Sequence, residues 1–399
     1  MVSVRVIASR AEFDESCRAL ADGNGPLAID AERASGFTYS QRAYLIQIHR
    51  RNAGTFLFDP PAIGEMSALT ALGHDTEWVL HAASQDLACL REVGIVPRQI
   101  FDTELSARLL GIERVGLGTV LAEVLDIHLA KEHSAADWST RPLPDSWLAY
   151  AASDVDHLVD LRDALDKRLI ADGKDGFARE EFDAVLHRPE KPASDEPWRR
   201  LSGLHALRHP RQLAVARSLW LSRDALARER DIAPGRLIPD ASIVAAAGAT
   251  IGSRSDLAKL KAFVGRASRP ELDRWWTALS EGLSVTELPA TRVASDSIPQ
   301  QRSWPEKNPA AAARLSAART LISECAEELH MPIENLVSPG PLREVCWAPP
   351  VAISQESLTA ALISQGVRSW QAARVAPLLE NAFLLSEAQI DEASDELAT

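Results

Sequence analysis

The sequence has few cysteines and no grouping of them that would carry chemistry. Cys17, Cys89, Cys325 and Cys346 are scattered through 399 residues without a CxxC pair. That excludes a cysteine zinc site and a disulfide framework and leaves buried free thiols as the expectation. No apolar run approaches the roughly 18–20 residues that span a bilayer, and Met1–Ser9 lacks a basic stretch followed by an apolar one. A cytoplasmic protein with no membrane attachment is expected. Positive charge is also short, with 43 Lys and Arg against 56 Asp and Glu and a net charge of -13. A chain this acidic has no general attraction for phosphate backbones.

What is present is enough to build cores. The composition is 46% hydrophobic and 25% charged, and single domains run to roughly 100–200 residues, so two or three domains are expected. Charge is uneven along the chain. Between Trp198 and Arg236 stand Arg199, Arg200, Arg208, Arg211, Arg217, Arg223, Arg228, Arg230 and Arg236 against only Asp224, Glu229 and Asp231. That segment can attract a polyanion which the whole chain repels, although solvated helix faces are the ordinary fate of surface arginines.

The first 170 residues or so alternate strand-like and helix-like patterns. Val2–Ile7 reads as a strand and Ser9 with Glu12 as a capping box opening a helix. Leu27–Glu32, Tyr44–His49, Thr55–Asp59 and Trp78–His81 read as further strands, with Arg50–Gly54 as a hairpin loop. Helical patterns follow from about Ser84, which could cap one, and over Thr103–Leu110, Gly118–Leu125 and Pro144–Leu169. A mixed α/β sheet flanked by helices is implied, with helices alone thereafter. His187–Pro197 and Thr286–Pro309 look like boundaries. A helix followed by Pro234, Leu237 and Pro239 is echoed by one followed by Pro332, Leu336 and Pro339, which suggests a diverged repeat.

Four acids stand where they could share one cleft. Asp30 and Glu32 are two apart on a strand and so project from one face. Asp86 falls where a strand gives way to a helix. Asp154 shares a helical stripe with Trp147, Tyr150, Ala151, Leu158 and Leu161. Singly, each has a plain structural reading as an edge-strand acid, a first-turn acid or a Tyr–Asp surface pair. Together, four carboxylates and a tyrosine suit two divalent cations, and all-oxygen ligands favour Mg2+ or Mn2+ over zinc. Asp102 reads as an N-cap. His128, Lys131 and His133 make a poor zinc site, although Lys131 could touch a phosphate.

These residues resemble a known family. Asp30-Ala31-Glu32 with Tyr44-Leu45-Ile46-Gln47-Ile48, then His81-Ala82-Ala83-Ser84-Gln85-Asp86-Leu87, then Asp137-Trp138 and Arg141-Pro142-Leu143 leading into Tyr150 and Asp154, are similar to the three exonuclease motifs of ribonuclease D. Its members are the tyrosine-bearing DEDD exonucleases. The resemblance implies a ribonuclease-H-like α/β exonuclease domain over residues 1–187 and an all-α HRDC domain, a helical nucleic-acid-binding module, over 195–285. A linker over 286–309 would then lead to a second, diverged HRDC-like domain over 310–395.

It also implies a metal-dependent 3′-to-5′ exoribonuclease that releases 5′-mononucleotides and trims the RNA 3′ ends of tRNA precursors and other structured RNAs, with no obligate protein partner. Asp30, Glu32, Asp86 and Asp154 would bind two divalent cations, Mg2+ or Mn2+, and Tyr150 would hold the attacking water. Gln47, His81, Trp138, Arg141 and Arg211 are candidate substrate contacts, as is Tyr39, since aromatic faces stack on unpaired bases and an amide can reach ribose. The alternatives are a DNA 3′-5′ exonuclease of the same superfamily and a catalytically silent RNA-binding protein.

Overall fold

The computed structural model describes residues 5–129, 136–189, 192, 194–265, 268–291 and 298–397. The chain first builds a six-stranded mixed sheet from β1 (Val6–Ile7), β2 (Asn24–Arg33), β3 (Ala43–Arg51), β4 (Gly54–Phe58), β5 (Trp78–Leu80) and β6 (Ile100–Asp102). Its order is β1-β4-β3-β2-β5-β6. The central three strands are antiparallel, while β1, β5 and β6 add in parallel to β4, β2 and β5. Only Asn52 and Ala53 separate β3 from β4. Asn52 (φ 66°) and Gly54 (φ 93°) take the left-handed backbone that such a tight hairpin requires.

Helices α1 (Arg10–Ala21), α2 (Leu87–Glu92), α3 (Thr103–Leu109), α4 (Leu117–Leu125), α5 (Asp145–Asp156), α6 (Leu158–Ala171) and α7 (Asp175–Leu186) accompany the sheet. The Ser9 and Glu12 pair caps α1. Ser9 Oγ accepts the Glu12 N–H (3.3 Å) and donates to the Glu12 carboxylate (2.7 Å).

Three local expectations change. Of the strand expected over Val2–Ile7, only Val6–Ile7 pairs, and residues 2–4 lie outside the described residues. Ser84 caps nothing, because it sits inside a 3₁₀ turn (Ala83–Gln85) and Asp86 takes the N-cap place of α2 without a side-chain bond. The single helix expected over Pro144–Leu169 is two, broken at His157 (φ -110°, ψ 0°). The break leaves Asp154 in the last turn of α5 while α6 turns Leu158, Leu161, Leu165 and Leu169 into the core.

A second core forms among α8 (Pro210–Arg230), α9 (Asp240–Gly248), α10 (Arg254–Lys259) and α11 (Leu272–Ser284), around Trp198, Leu219, Phe263 and Trp275. Helices α8 and α11 approach so closely that a Cβ on Gly282 would meet Val215 Cα at 2.5 Å. The chain ends in α12 (Pro309–Glu328), α13 (Pro339–Trp347), α14 (Gln355–Ser364) and α15 (Ser369–Leu397). Element order recurs between these regions. A helix of 21 or 20 residues, a 4-residue turn of helix and a 9-residue helix follow one another in both. A helix capped by Ser253 or Ser354 then follows.

Between the two lie short helices at Gln301–Ser303 and Trp304–Lys307, with Trp304 buried. The last region docks on α7. Trp370 stacks on Phe177 at 4.3 Å, and its Nε1 donates to Glu181 (3.1 Å), which also pairs with Arg368 (3.0 Å). Among the described residues no helix is long and apolar enough to cross a membrane.

Candidate active site

The site follows from where two strands part. On one side of β2, Asp30 lies opposite Gln47 and Glu32 opposite Leu45 of β3. On the other side, β2 pairs with β5 only at Leu27–Trp78 and Ala28–Val79. Beyond those pairs the parallel strands diverge, and a crevice opens at their carboxyl ends, where open α/β sheets place ligands. After β5 the chain turns through Ala82 at φ 61°, ψ 51°, a left-handed conformation that costs a side-chain-bearing residue about 1–2 kcal/mol. Asp102 offsets that cost. Its carboxylate accepts the N–H groups of Ala82 (3.2 Å) and Ala83 (2.8 Å), besides capping α3 through Glu104 (2.9 Å) and Leu105 (3.1 Å). The turn held in this way delivers Asp86 into the crevice.

The crevice is a cavity of about 630 Å³ whose lining includes Asp30, Glu32, Asp86, Tyr150 and Asp154. Carboxylate oxygens of Asp30, Glu32 and Asp154 lie within 4.8 Å of one another, close enough to share an ion. Asp86 stands behind this trio, hydrogen-bonded to Asp30 and 3.8 Å from Arg33 Nη2. The Tyr150 hydroxyl bonds to Asp154, one helical turn away.

Burial and mutual repulsion make ionisation costly here. Burial, then the charges of Asp30, Asp154 and Asp86, push Glu32 up to about 9. Burial and Asp30 push Asp154 to about 7. Burial also raises Asp30 and Asp86, with Arg33 opposing both. The Tyr150 phenol rises for the same reasons, burial first and the nearby carboxylates second. Among the described lining residues Arg33 alone opposes this build-up of carboxylates, which could be relieved by a bound cation.

Comparison with known proteins agrees with this geometry. Residues 4–170 match the family described as 3′-5′ exonuclease, 212–278 the HRDC domain, and 297–383 a 3′ to 5′ exonuclease C-terminal domain. A ribonuclease D of Pseudomonas paraeruginosa is 31% identical over 289 residues, 71% of this chain and 72% of that protein. The chain belongs to the ribonuclease D family.

Among solved structures, a protein from Bifidobacterium adolescentis superposes with a TM-score of 0.87 at 34% identity, over 96% of this chain and 97% of that one. Escherichia coli RNase D, an exoribonuclease involved in structured RNA processing, does so with a TM-score of 0.67 at 25% identity, over 90% and 98%. This ribonuclease D family member therefore has a ribonuclease-H-like exonuclease domain followed by an HRDC helical region.

The candidate substrate contacts fare differently from the carboxylates. Trp138 is fully buried against Trp147 (5.2 Å) and offers no ring face to a base. Arg141 is committed to Asp59 through two bonds (2.6 and 3.0 Å) and to the carbonyls of Tyr44 and Trp138 (2.8 Å each). Gln47 is 0% exposed, and neither amide atom has a partner among the described residues, so it lies beneath the site and does not line it. Arg211 ties α8 to the end of α11 through the carbonyls of Gly282 (3.3 Å) and Val285 (2.5 Å). His81 does line the cavity, but Thr103 (2.9 Å) and the Val115 backbone engage its ring, and burial holds its pKa down to about 4. Lys131 and His133 lie outside the described residues.

The arginine-rich segment is also less available than its charge suggests. Arg199, Arg211, Arg217, Arg223, Arg228, Arg230 and Arg236 all bond to protein atoms. Sequence reasoning misses Arg33, the one Lys or Arg among the described residues that line the cavity. Only its place next to Glu32 marks it.

Proposed function

We propose that this ribonuclease D family member trims RNA 3′ ends one nucleotide at a time, using Asp30, Glu32, Asp86 and Asp154 as ligands for two Mg2+ or Mn2+ ions and Tyr150 to orient the water. As a 3′-5′ exoribonuclease it hydrolyses the terminal phosphodiester, so the water oxygen joins phosphorus, the penultimate 3′ oxygen leaves with a proton, and a 5′-mononucleotide departs. The observation that carries the assignment is the meeting of three carboxylates within 4.8 Å in one cavity, with a fourth, Asp86, hydrogen-bonded to Asp30.

The donor set fits the ions. It is all oxygen, and burial together with the repulsion between neighbouring carboxylates suppresses its ionisation. Bound divalent cations would neutralise charge gathering at phosphorus and make water more acidic. The chain's own residues do the remaining work. The diverging strands hold Asp30 and Glu32, the Asp102-held turn presents Asp86, and the last turn of α5 presents Asp154. The Tyr150 proton is given to the bond with Asp154, so the part left to its oxygen is to accept a hydrogen bond from the water and fix the water's direction. Precursors of tRNA, in the cytoplasm, are the proposed substrates, by likeness to relatives named ribonuclease D.

The test is a time course on 5′-labelled RNA with a few nucleotides beyond a hairpin, in Mg2+, Mn2+ or EDTA, with a matched DNA alongside. Shortening from the 3′ end that needs metal is expected. Metal-independent shortening, or none from folded protein, would overturn the proposal, and a strong preference for DNA would move it to the DNA exonucleases.

A further inference from the structure

The segment Ala34–Arg42 leads from the strand bearing Asp30 and Glu32 back into β3, and the helical HRDC region holds it from outside. Its own backbone bonds form a single turn, with Phe37 and Thr38 N–H donating to the Ala34 carbonyl (2.8 and 2.9 Å), and the Thr38 hydroxyl adds bonds to the Ala34 and Ser40 carbonyls (3.2 and 3.1 Å). From the far side, the Phe37 carbonyl accepts the Ala233 N–H (2.9 Å) and the Gly36 carbonyl accepts Arg236 Nε (2.8 Å). The Arg236 guanidinium also sits 4.0 Å over the centroid of the Phe37 ring. At the end of α8, Asp231 accepts the Ser40 N–H (2.7 Å) and hydroxyl (3.1 Å) and pairs with Arg42 (3.3 Å). Tyr39 completes the seam, donating to Asp224 and accepting from Arg228, each at 3.1 Å. The same segment gives Ser35, Gly36 and Phe37 to the wall of the carboxylate cavity.

We propose that Asp231 and Arg236 are positioning residues for the exonuclease site, clamping Ala34–Arg42 so that Phe37 stands as a fixed wall against the 3′-terminal nucleotide of the RNA. The helical region then acts on every substrate, including ends too short to reach its own outer surface. A tether that only bound distant RNA would leave such short ends untouched. The proposal rests on the exoribonuclease reading of the cavity.

The full-length chain is compared with Arg236→Ala, Arg236→Lys, Asp231→Ala and, as a helical-region change outside the clamp, Arg208→Ala. Two readouts use an RNA tetranucleotide: KM and kcat with Mn2+, and affinity in EDTA from quenching of a 2-aminopurine at its 3′ end. Arg236→Ala and Asp231→Ala should weaken both tetranucleotide KM and affinity roughly tenfold, with less quenching at saturation. Arg236→Lys, which can still donate to the Gly36 carbonyl, should recover part of the loss, and Arg208→Ala should behave as wild type. Wild-type affinity and quenching in both clamp variants, with melting confirming that they are folded, would overturn the proposal. Failure of the exonuclease reading would look different, since wild-type protein would then bind the tetranucleotide in a clamp-dependent way without cutting it.

Discussion

Asp154→Asn should destroy activity and at the same time make the metal-free protein more stable. Burial and the neighbouring Asp30 charge lift the Asp154 carboxyl from 3.8 to about 7. At about 1.36 kcal/mol per pH unit, keeping it ionised costs roughly 4 kcal/mol, which we discount to about 2 kcal/mol because the side chain is partly exposed. Asparagine removes the charge and keeps an acceptor for the Tyr150 hydroxyl. With about 2–4 °C per kcal/mol for a domain of this size, the exonuclease domain should melt roughly 4–8 °C higher in EDTA at pH 8.

The pH dependence has a definite sign. A carboxyl raised on folding costs stability above its folded pKa and costs nothing below its unfolded one. The gap between variant and wild type should therefore be full above about pH 8, close as pH falls from about 7 toward 4, and vanish below. Mg2+ or Mn2+ should stabilise wild type more than the variant, because only wild type retains all four of the proposed ligands. Scanning calorimetry across pH with EDTA or metal makes the measurement. An Asp154→Asn protein that melts no higher than wild type at pH 8 in EDTA would refute the claim that the cluster is strained by its own charge.

Other outcomes follow from the same geometry. Tyr150→Phe should lower kcat by roughly 10- to 100-fold with KM little changed in steady-state assays, if the phenol oxygen takes one hydrogen bond from the reacting water as proposed. Arg141→Lys should cost about 2 kcal/mol in urea unfolding by breaking the paired bonds to buried Asp59, with KM for RNA unmoved; a raised KM in a fully folded protein would restore Arg141 as a phosphate contact. Trp370→Ala should cost about 3–5 kcal/mol, removing the stack on Phe177 and leaving Glu181 short of a donor. Limited proteolysis should then release the C-terminal helices, and resistance equal to wild type would count against their docking through α7.

Residues that act through local geometry are legible in the sequence. Asp30 and Glu32 share a face because every strand alternates, Tyr150 and Asp154 are neighbours because every helix repeats, and the caps at Ser9 and Asp102 involve residues two to three apart in the chain. Residues whose role depends on what crosses over them are not. Trp138 and Arg141 stand in a motif as prominent as the carboxylates, yet their burial and ion pairing are set by α5 and by Asp59, 82 residues earlier. Nothing in the composition around His157 marks the helix break, which α6 adopts to bury its leucines.

By itself, then, the sequence determines the order of strands and helices and which acids can share a face, because those depend on backbone periods of two and 3.6 residues. Tertiary structure alone decides that β2 and β5 part before Asp30, that most of the arginines in the basic segment are spent on protein atoms, and that Arg236 closes on Gly36, 200 residues away. Partners so far apart are brought together by the packing of whole domains, and no spacing along the chain records it.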